Sequence, residues 1–199
     1  MVERSSDDGR SAARTAIMEA TYRALCERGY AALTMQDIAE EYGKSTAAIH
    51  YYYDTKDDLL AAFLEYLLDR FIEHVRDVDP SDPSERLSLL LDRLLTERED
   101  DVAFMVAMLE MRAQAPYRTV VREQFAQNDE YVRGLLQRVV SEGIEAGVFA
   151  DADPRLVARS LMTIVDGART RFVVFEADDA LGDARRTAEE YVTAVLDPR

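Results

Sequence analysis

Thr34-Met-Gln-Asp-Ile-Ala-Glu-Glu-Tyr-Gly-Lys-Ser-Thr-Ala-Ala-Ile-His-Tyr-Tyr-Tyr-Asp-Thr-Lys56 is the most informative stretch of this chain. Its apolar spacing predicts two short helices, roughly Met35 to Tyr42 and Thr46 to Tyr53, separated by Gly43-Lys44-Ser45. Thr34 is placed to cap the first and Ser45 the second, and glycine permits the left-handed turn between them. Ile38 and Ala39 of the first helix face inward, where Ala48, Ile49 and Tyr53 of the second close a small core against them. Ala39 is small where the two helices must cross. This is helix-turn-helix grammar, in which the second helix is held so that its N-terminal residues enter a DNA major groove.

The groove-facing set is then Thr46, Ala47, His50 and Tyr51, with Lys44 and Ser45 at the entrance. Hydroxyls serve any base type and an alanine methyl touches a thymine methyl, so the expected readout per contact is modest. Tyr52 and Lys56 lie where they can grip phosphate, Lys56 at a helix start whose amides also favour anions, and Thr34 joins this DNA-facing set. The run Tyr51-Tyr52-Tyr53 suits packing as well as contact, and Tyr53 is expected in the core.

Residues 12 to 70 resemble the N-terminal DNA-binding domain of TetR-family transcriptional regulators. That family's pattern is Thr-x-x-(Asp/Glu)-Ile-Ala, then Gly-Val-Ser, then Leu-Tyr-x-(Tyr/His)-Phe, then Ser-Lys and an apolar helix. Thr34, Asp37, Ile38, Ala39, Gly43, Ser45, Ile49, Tyr52, Tyr53, Thr55, Lys56 and Leu59 match it or substitute conservatively. Lys44 departs from the usual buried valine, His50 from the usual tyrosine and Asp54 from the frequent proline or asparagine.

Charge speaks against indiscriminate attraction to nucleic acid. The 199 residues carry 39 acidic and 24 basic side chains, a formal net charge of −15. Residues 1 to 66 alone hold seven Lys or Arg against twelve Asp or Glu. Yet the chain's lysines, Lys44 and Lys56, both flank the expected recognition helix, so positive charge is local where phosphate would lie. So acidic a chain suits a cytoplasm of concentrated salt, where charges are screened within about 3 Å at 1 M, and we read a halophile's protein. An acidic mesophile whose codons favour arginine is the alternative. A single cysteine, Cys26, excludes an intrachain disulfide, and no basic-then-apolar leader or long uncharged apolar run is evident, so a cytoplasmic location is expected.

Outward from the central stretch the apolar residues recur at helical intervals, and the fold class is all-α. Residues 1 to 11 read as a mobile tail. A first helix is expected from about Ser11 to Arg28, with Ile17, Ala20, Ala24 and Leu25 on one face and a stop near Gly29. A long helix follows from about Thr55 to Val75. The segment Asp77 to Ser84, with Pro80 and Pro83, breaks the pattern. Further helices are expected at about Ser84 to Arg98, Val102 to Ala113, Tyr117 to Glu145, Pro154 to Phe175 and Asp183 to Leu196. The reading divides the chain into the tail, a three-helix helix-turn-helix domain over residues 12–55 and a helical domain over 56–199.

The resemblance implies that the second domain binds a small effector and holds a homodimer. Leu156, Val157, Leu161, Ile164, Val165, Ala168 and Phe172, with Ala188, Tyr191, Val192 and Val195, make more apolar surface than one helix pair buries by itself. A twofold four-helix contact would bury it and space two recognition helices about one DNA turn apart. Candidate effector-binding side chains are Phe104, Met105, Met108, Leu109 and Met111, with Tyr117, Phe125, Tyr131 and Leu135, since methionine adapts to varied apolar shapes. Plain core packing explains any single one of them better. Arg112, Asp166 and Arg169 can select a polar headgroup, and Asp166 and Arg169 are also spaced for a helical salt bridge.

The whole reads as a repressor whose dimer binds a palindromic operator and is released by a small, largely apolar or acyl-chain-like effector, with no cofactor and no membrane. Two alternatives stand beside it. A helical adaptor that has lost DNA binding is suggested by the acidic N-terminal part. An all-α enzyme finds little support: Asp57-Asp58 and Asp100-Asp101 lack a further aspartate, and neither His50 nor His74 has Glu three residues before it. One cysteine and two histidines build no ordinary zinc cage.

Overall fold

The computed structural model describes the backbone of residues 3–76, 81–95 and 102–197. Nine α-helices occupy the described residues: α1 (Glu3–Ala32), α2 (Met35–Tyr42), α3 (Thr46–His50), α4 (Lys56–Arg76), α5 (Pro83–Leu95), α6 (Val102–Gln114), α7 (Thr119–Glu145), α8 (Pro154–Phe175) and α9 (Ala180–Leu196). A single 3-10 turn, Ala115–Tyr117, joins α6 to α7. The expected break at Asp77 to Ser84 lies partly outside the described residues, as do the residues after Leu95 to which the fifth helix was expected to run.

The chain packs as two compact units, Met1–Asp69 with Asp100–Ala126, and Arg70–Glu99 with Gln127–Arg199. The expected boundary at residue 55 therefore falls inside the first unit. The reason is the start of α4: Leu59, Leu60, Phe63 and Leu64 are fully or almost fully buried in the same core as Ile17, Ala20, Leu25, Ile38 and Ile49. A boundary there would cut that core. The first unit also takes in α6, which packs against α1 and adds Ala107 and Met111 to this core.

Within the first unit, α1 begins at Glu3, earlier than the expected Ser11. Ser, Asp and Gly are poor helix formers, but extending an existing helix costs far less than nucleating one. The helical path breaks at Gly29, whose φ of 70° and ψ of 166° only glycine adopts easily. After Leu33 the chain enters α2, and Arg23 of α1 ties down its far end: its Nε lies 2.9 Å from Glu41 Oε2 and its Nη2 donates to the Glu41 carbonyl at 3.0 Å.

In the second unit α9 packs against α8 and α5, and α5 also packs against α8. Asp153 caps α8 by accepting the Arg155 and Leu156 amides, and Pro154 opens the helix without wasting a donor. Val157, Leu161, Val165 and Phe172 of α8 are buried with Leu87, Leu91 and Leu94 of α5 and Leu181, Ala188 and Leu196 of α9. Arg86 on α5 pairs with Glu142 on α7 at 2.5 Å.

Candidate nucleic-acid interface

Local hydrogen bonding fixes α2 and α3 closely. The Thr34 hydroxyl accepts the Asp37 amide at 3.2 Å, while Asp37 Oδ2 accepts the Thr34 amide at 2.8 Å. At the other end Gly43, with φ of 72°, lets its own amide reach the Glu40 carbonyl at 3.0 Å and the Lys44 amide reach the Ala39 carbonyl at 3.2 Å. These two bonds satisfy carbonyls that a helix end leaves open.

The helix that follows, α3, is shorter than expected, ending at His50 rather than Tyr53. The Ile49 carbonyl accepts both the Tyr52 amide at 2.8 Å and the Tyr53 amide at 3.0 Å, so the chain turns tightly instead of continuing. Ser45 stands at the start of α3 with extended backbone, but its hydroxyl makes no capping bond; the expected side-chain cap is absent there. The Ala48 amide goes to the Ser45 carbonyl instead, at 2.9 Å.

Ile49 is fully buried and anchors α3 to the core. The opposite side is open: Lys44, Ser45, Ala47, His50 and Tyr51 are exposed, and Thr46 is half-buried. Exposed Lys44 holds its ammonium over the Tyr42 ring at 4.9 Å. Tyr51 is 68% exposed and meets Tyr52 edge-on at 5.0 Å. Tyr52 and Tyr53 are half-buried and pack against the core, Tyr53 less deeply than expected of a core residue. Burial raises the Tyr53 phenol above its ordinary value, with Arg14 opposing and Glu65 and Tyr52 reinforcing that shift.

Lys56 is placed differently from a free phosphate contact. Its ammonium donates to the Tyr30 carbonyl at 3.2 Å and to the Leu33 carbonyl at 2.5 Å, over the Tyr30 ring at 4.8 Å. Two of its three N–H bonds are thus spent inside the unit. Burial lowers its pKa, Asp57 opposing.

One cation near this surface escaped the sequence reading. The Arg10 guanidinium stacks over the Tyr51 ring at 5.5 Å, bringing positive charge from α1 to the end of the recognition helix. The only sequence signal was an arginine within a stretch read as tail.

The expected effector-binding residues are distributed over both units. In the first, Phe104 stacks on Tyr22 at 4.9 Å and meets Phe63 edge-on at 6.3 Å, and Met108 and Phe125 also pack against the helix-turn-helix core. Met111 is fully buried there. Met105 and Leu109 are half-buried, and exposed Arg112 lies over the Phe125 ring at 5.7 Å. Tyr117 is 81% exposed. In the second unit Tyr131 is exposed, Leu135 and Asp166 are half-buried, and Arg169 Nη2 donates to the Leu94 carbonyl at 2.9 Å. A cavity of about 430 Å³ in this unit is lined by Leu87, Leu91, Phe149, Leu196, Ser88 and Arg185 among others, and by none of the expected residues. Arg185 is held there by Asp92 at 2.6 Å, Ser88 at 2.8 Å and Glu189 at 2.7 Å.

A capped two-helix turn with one face anchored and the other open, on an all-helical chain, defines a helix-turn-helix transcriptional regulator. The comparisons name the family. Residues 17–63 match the family model described as bacterial regulatory proteins of the tetR family, and residues 83–197 match that for the C-terminal region of BetI-type transcriptional repressors. The chain belongs to the TetR family, a family of transcriptional regulators and not of enzymes.

Among solved structures, a TetR transcription regulator from Haloarcula marismortui is 57% identical, with a TM-score of 0.89 over 94% of this chain and 100% of that one. Two others share the fold. A transcriptional regulator from Saccharomonospora viridis in complex with choline is 24% identical, with a TM-score of 0.81 over 95% of this chain and 100% of that one. FadR from Bacillus subtilis in complex with stearoyl-CoA is 21% identical, with a TM-score of 0.75 over 91% of this chain and 98% of that one. No helix among the described residues is long and apolar enough to cross a membrane.

Proposed function

We propose that this regulator is a repressor that binds a palindromic operator as a homodimer and is released by a small, largely apolar effector. The observation that carries the reading is the open face of α3, where Lys44, Ser45, Thr46, Ala47, His50 and Tyr51 stand opposite the buried anchor Ile49. Thr46, Ala47 and His50 read base edges. Lys44, Tyr52 and Arg10 hold phosphate, with Thr34 beside them, while Lys56, bonded to the Tyr30 and Leu33 carbonyls, supports the same surface from behind.

Dimerisation is assigned to α8 and α9. Leu156, Val174 and Phe175 are 57%, 54% and 65% exposed, apolar surface that a twofold contact would cover. The residues assigned to effector contact form two separate groups, Phe104, Met105, Met108, Leu109, Arg112 and Phe125 within the first unit, and Tyr131, Asp166 and Arg169 within the second. The base-reading residues lie within 12–55, Arg10 reaches them from the stretch before it, and effector and dimer functions are assigned within 56–199. The likeness to a Haloarcula protein supports a salt-rich cytoplasm as the setting.

Selection from a randomised duplex pool in molar KCl tests the reading. The wild type is expected to enrich a palindrome, and Lys44→Ala and Tyr52→Phe to weaken binding to it. Loss of one phosphate contact at Lys44 should also reduce the slope of log affinity against log salt by about 0.9. Enrichment of no sequence would favour the adaptor. Release of the selected duplex by saturated acyl chains, with choline as the contrasting probe, tests the effector.

A further inference from the structure

The α1–α2 turn is gripped from two sides by opposite charges. At Gly29 the backbone leaves the helical path, so the Tyr30 and Ala31 amides lose the carbonyl partners a continuous helix would give them. Glu110 of α6 replaces those partners: its Oε2 accepts the Tyr30 amide at 2.8 Å and the Ala31 amide at 3.4 Å. On the carbonyl side, Lys56 of α4 donates to Tyr30 and Leu33. The fit around Gly29 is close, because a Cβ there would come within 3.2 Å of Glu110 Oε2.

Both side chains reach across long sequence separations to a turn of only a few residues, and that turn sets where Thr34 begins α2. Charge-assisted bonds to backbone amides and carbonyls are stronger and more directional than neutral ones. We propose that Glu110 and Lys56 are positioning residues for DNA binding: they clamp the two poles of the Gly29–Leu33 turn and so fix the angle at which α2 and α3 leave α1. The proposal rests on the DNA-binding reading above. It gives α6 a hold on the turn that leads into the reading helices, and it makes Lys56 a strut instead of a phosphate contact.

The full-length chain tests this by fluorescence anisotropy on the duplex it selects, over a KCl series at a temperature where every variant is folded by circular dichroism. Removing a carboxylate makes the protein less anionic, so on charge alone Glu110→Ala should bind DNA more tightly. The clamp reverses the sign. Glu110→Ala should weaken binding about tenfold, whereas Glu110→Gln, which keeps an acceptor oxygen, should stay within about twofold. Lys56→Met should weaken binding with the salt slope unchanged.

Amide hydrogen exchange supplies a readout that needs no DNA: Tyr30 and Ala31 should exchange at least about tenfold faster in Glu110→Ala. If Glu110→Ala does not fold, Glu110→Asp, one methylene short, should show the same losses in smaller measure. Wild-type or tighter binding by Glu110→Ala overturns the proposal, as does unchanged exchange. So does a salt slope that falls by about 0.9 in Lys56→Met, which would make Lys56 a phosphate contact. Failure of the wild type to select any duplex removes the DNA-binding reading and the aiming role with it, and the exchange data then show separately whether the clamp exists.

Discussion

Thr34 and Asp37 bind each other reciprocally across the first turn of α2, the threonine hydroxyl accepting the Asp37 amide while Asp37 Oδ2 accepts both the Thr34 amide and, at 2.6 Å, the Thr34 hydroxyl. Thr55 and Asp58 repeat the arrangement at α4, with the Thr55 amide to Asp58 Oδ2 at 3.1 Å and the Asp58 amide to Thr55 Oγ1 at 3.1 Å. The two boxes bracket the helix-turn-helix. Each satisfies helix-start amides that would otherwise face water alone, so Thr34→Ala and Thr55→Ala should each cost about 1 kcal/mol in urea unfolding. A loss near zero in both would mean that water caps these helices as well as threonine does.

The first box also has a pH signature. Hydrogen bonds from the Thr34 hydroxyl and amide hold the Asp37 carboxyl below its ordinary value, against a small opposing effect of burial. Because the folded value is depressed, this contribution is complete above the unfolded carboxyl pKa and disappears as pH falls through the folded one. Carboxyl carbon titration by NMR should place Asp37 below the ordinary aspartate value, and Thr34→Ala should raise it. A midpoint for Asp37 at or above the ordinary aspartate value would contradict the hydrogen-bond geometry.

These caps explain which parts of the fold were legible in the sequence. The limits of α2 and α8 follow from Thr34, Gly43 and Pro154, residues whose chemistry is local, and both helices fall where expected. Errors arise where distant contacts or cooperativity decide: α1 extends earlier through poor helix formers, and α3 ends early at the doubly used Ile49 carbonyl. The open α3 face is readable from the helical period with Ile49 as the anchor. Lys56 is not, because its carbonyl partners lie at the end of α1. Glu110 left one signal, a lone carboxylate within the apolar run from Val102 to Met111. Phe104 shows another limit, since the helical pattern of α6 does not reveal that its ring meets Tyr22 and Phe63.

Gly43 separates conformational strain from steric crowding. Its φ is 72°, yet a Cβ added there would meet nothing within 4 Å. Gly43→Ala should therefore destabilise by about 1 kcal/mol from backbone strain alone, and Gly43→Asn by less, because asparagine tolerates the left-handed region. Chemical denaturation of the pair measures this. Equal losses for Ala and Asn would point to a lost contact rather than to φ.

Tyr53 sets part of the alkaline limit. Burial is the main cause of its raised pKa, so its contribution to stability is fully present below the unfolded value of 10.0 and is lost as pH rises through the folded value. Tyr53→Phe removes the ionisable group and keeps the ring. Thermal melts should show little change at neutral pH and a smaller loss of stability above pH 10. If the variant melts in parallel with the wild type across that range, the phenol is as well hydrated in the folded chain as in the unfolded one.

Salt tests the meaning of the anionic surface, because two electrostatic effects of opposite sign compete. Raising KCl weakens surface ion pairs such as Arg133–Asp129 at 2.7 Å and Arg185–Asp92 at 2.6 Å, but such pairs are worth only about 0–1 kcal/mol each. It also screens the mutual repulsion behind the net charge of −15, since the screening length shrinks from about 10 Å at 0.1 M to about 3 Å at 1 M. With 39 acidic residues against 24 basic ones, most repulsive pairs lie beyond contact distance, where screening acts most strongly, whereas ion pairs at contact are screened least. The melting temperature should therefore rise between 0.1 and 1 M KCl, steeply at first and then more slowly. A melting temperature that falls over that interval would show that the arginine pairs outweigh the repulsion, leaving the acidic composition without a role in salt tolerance.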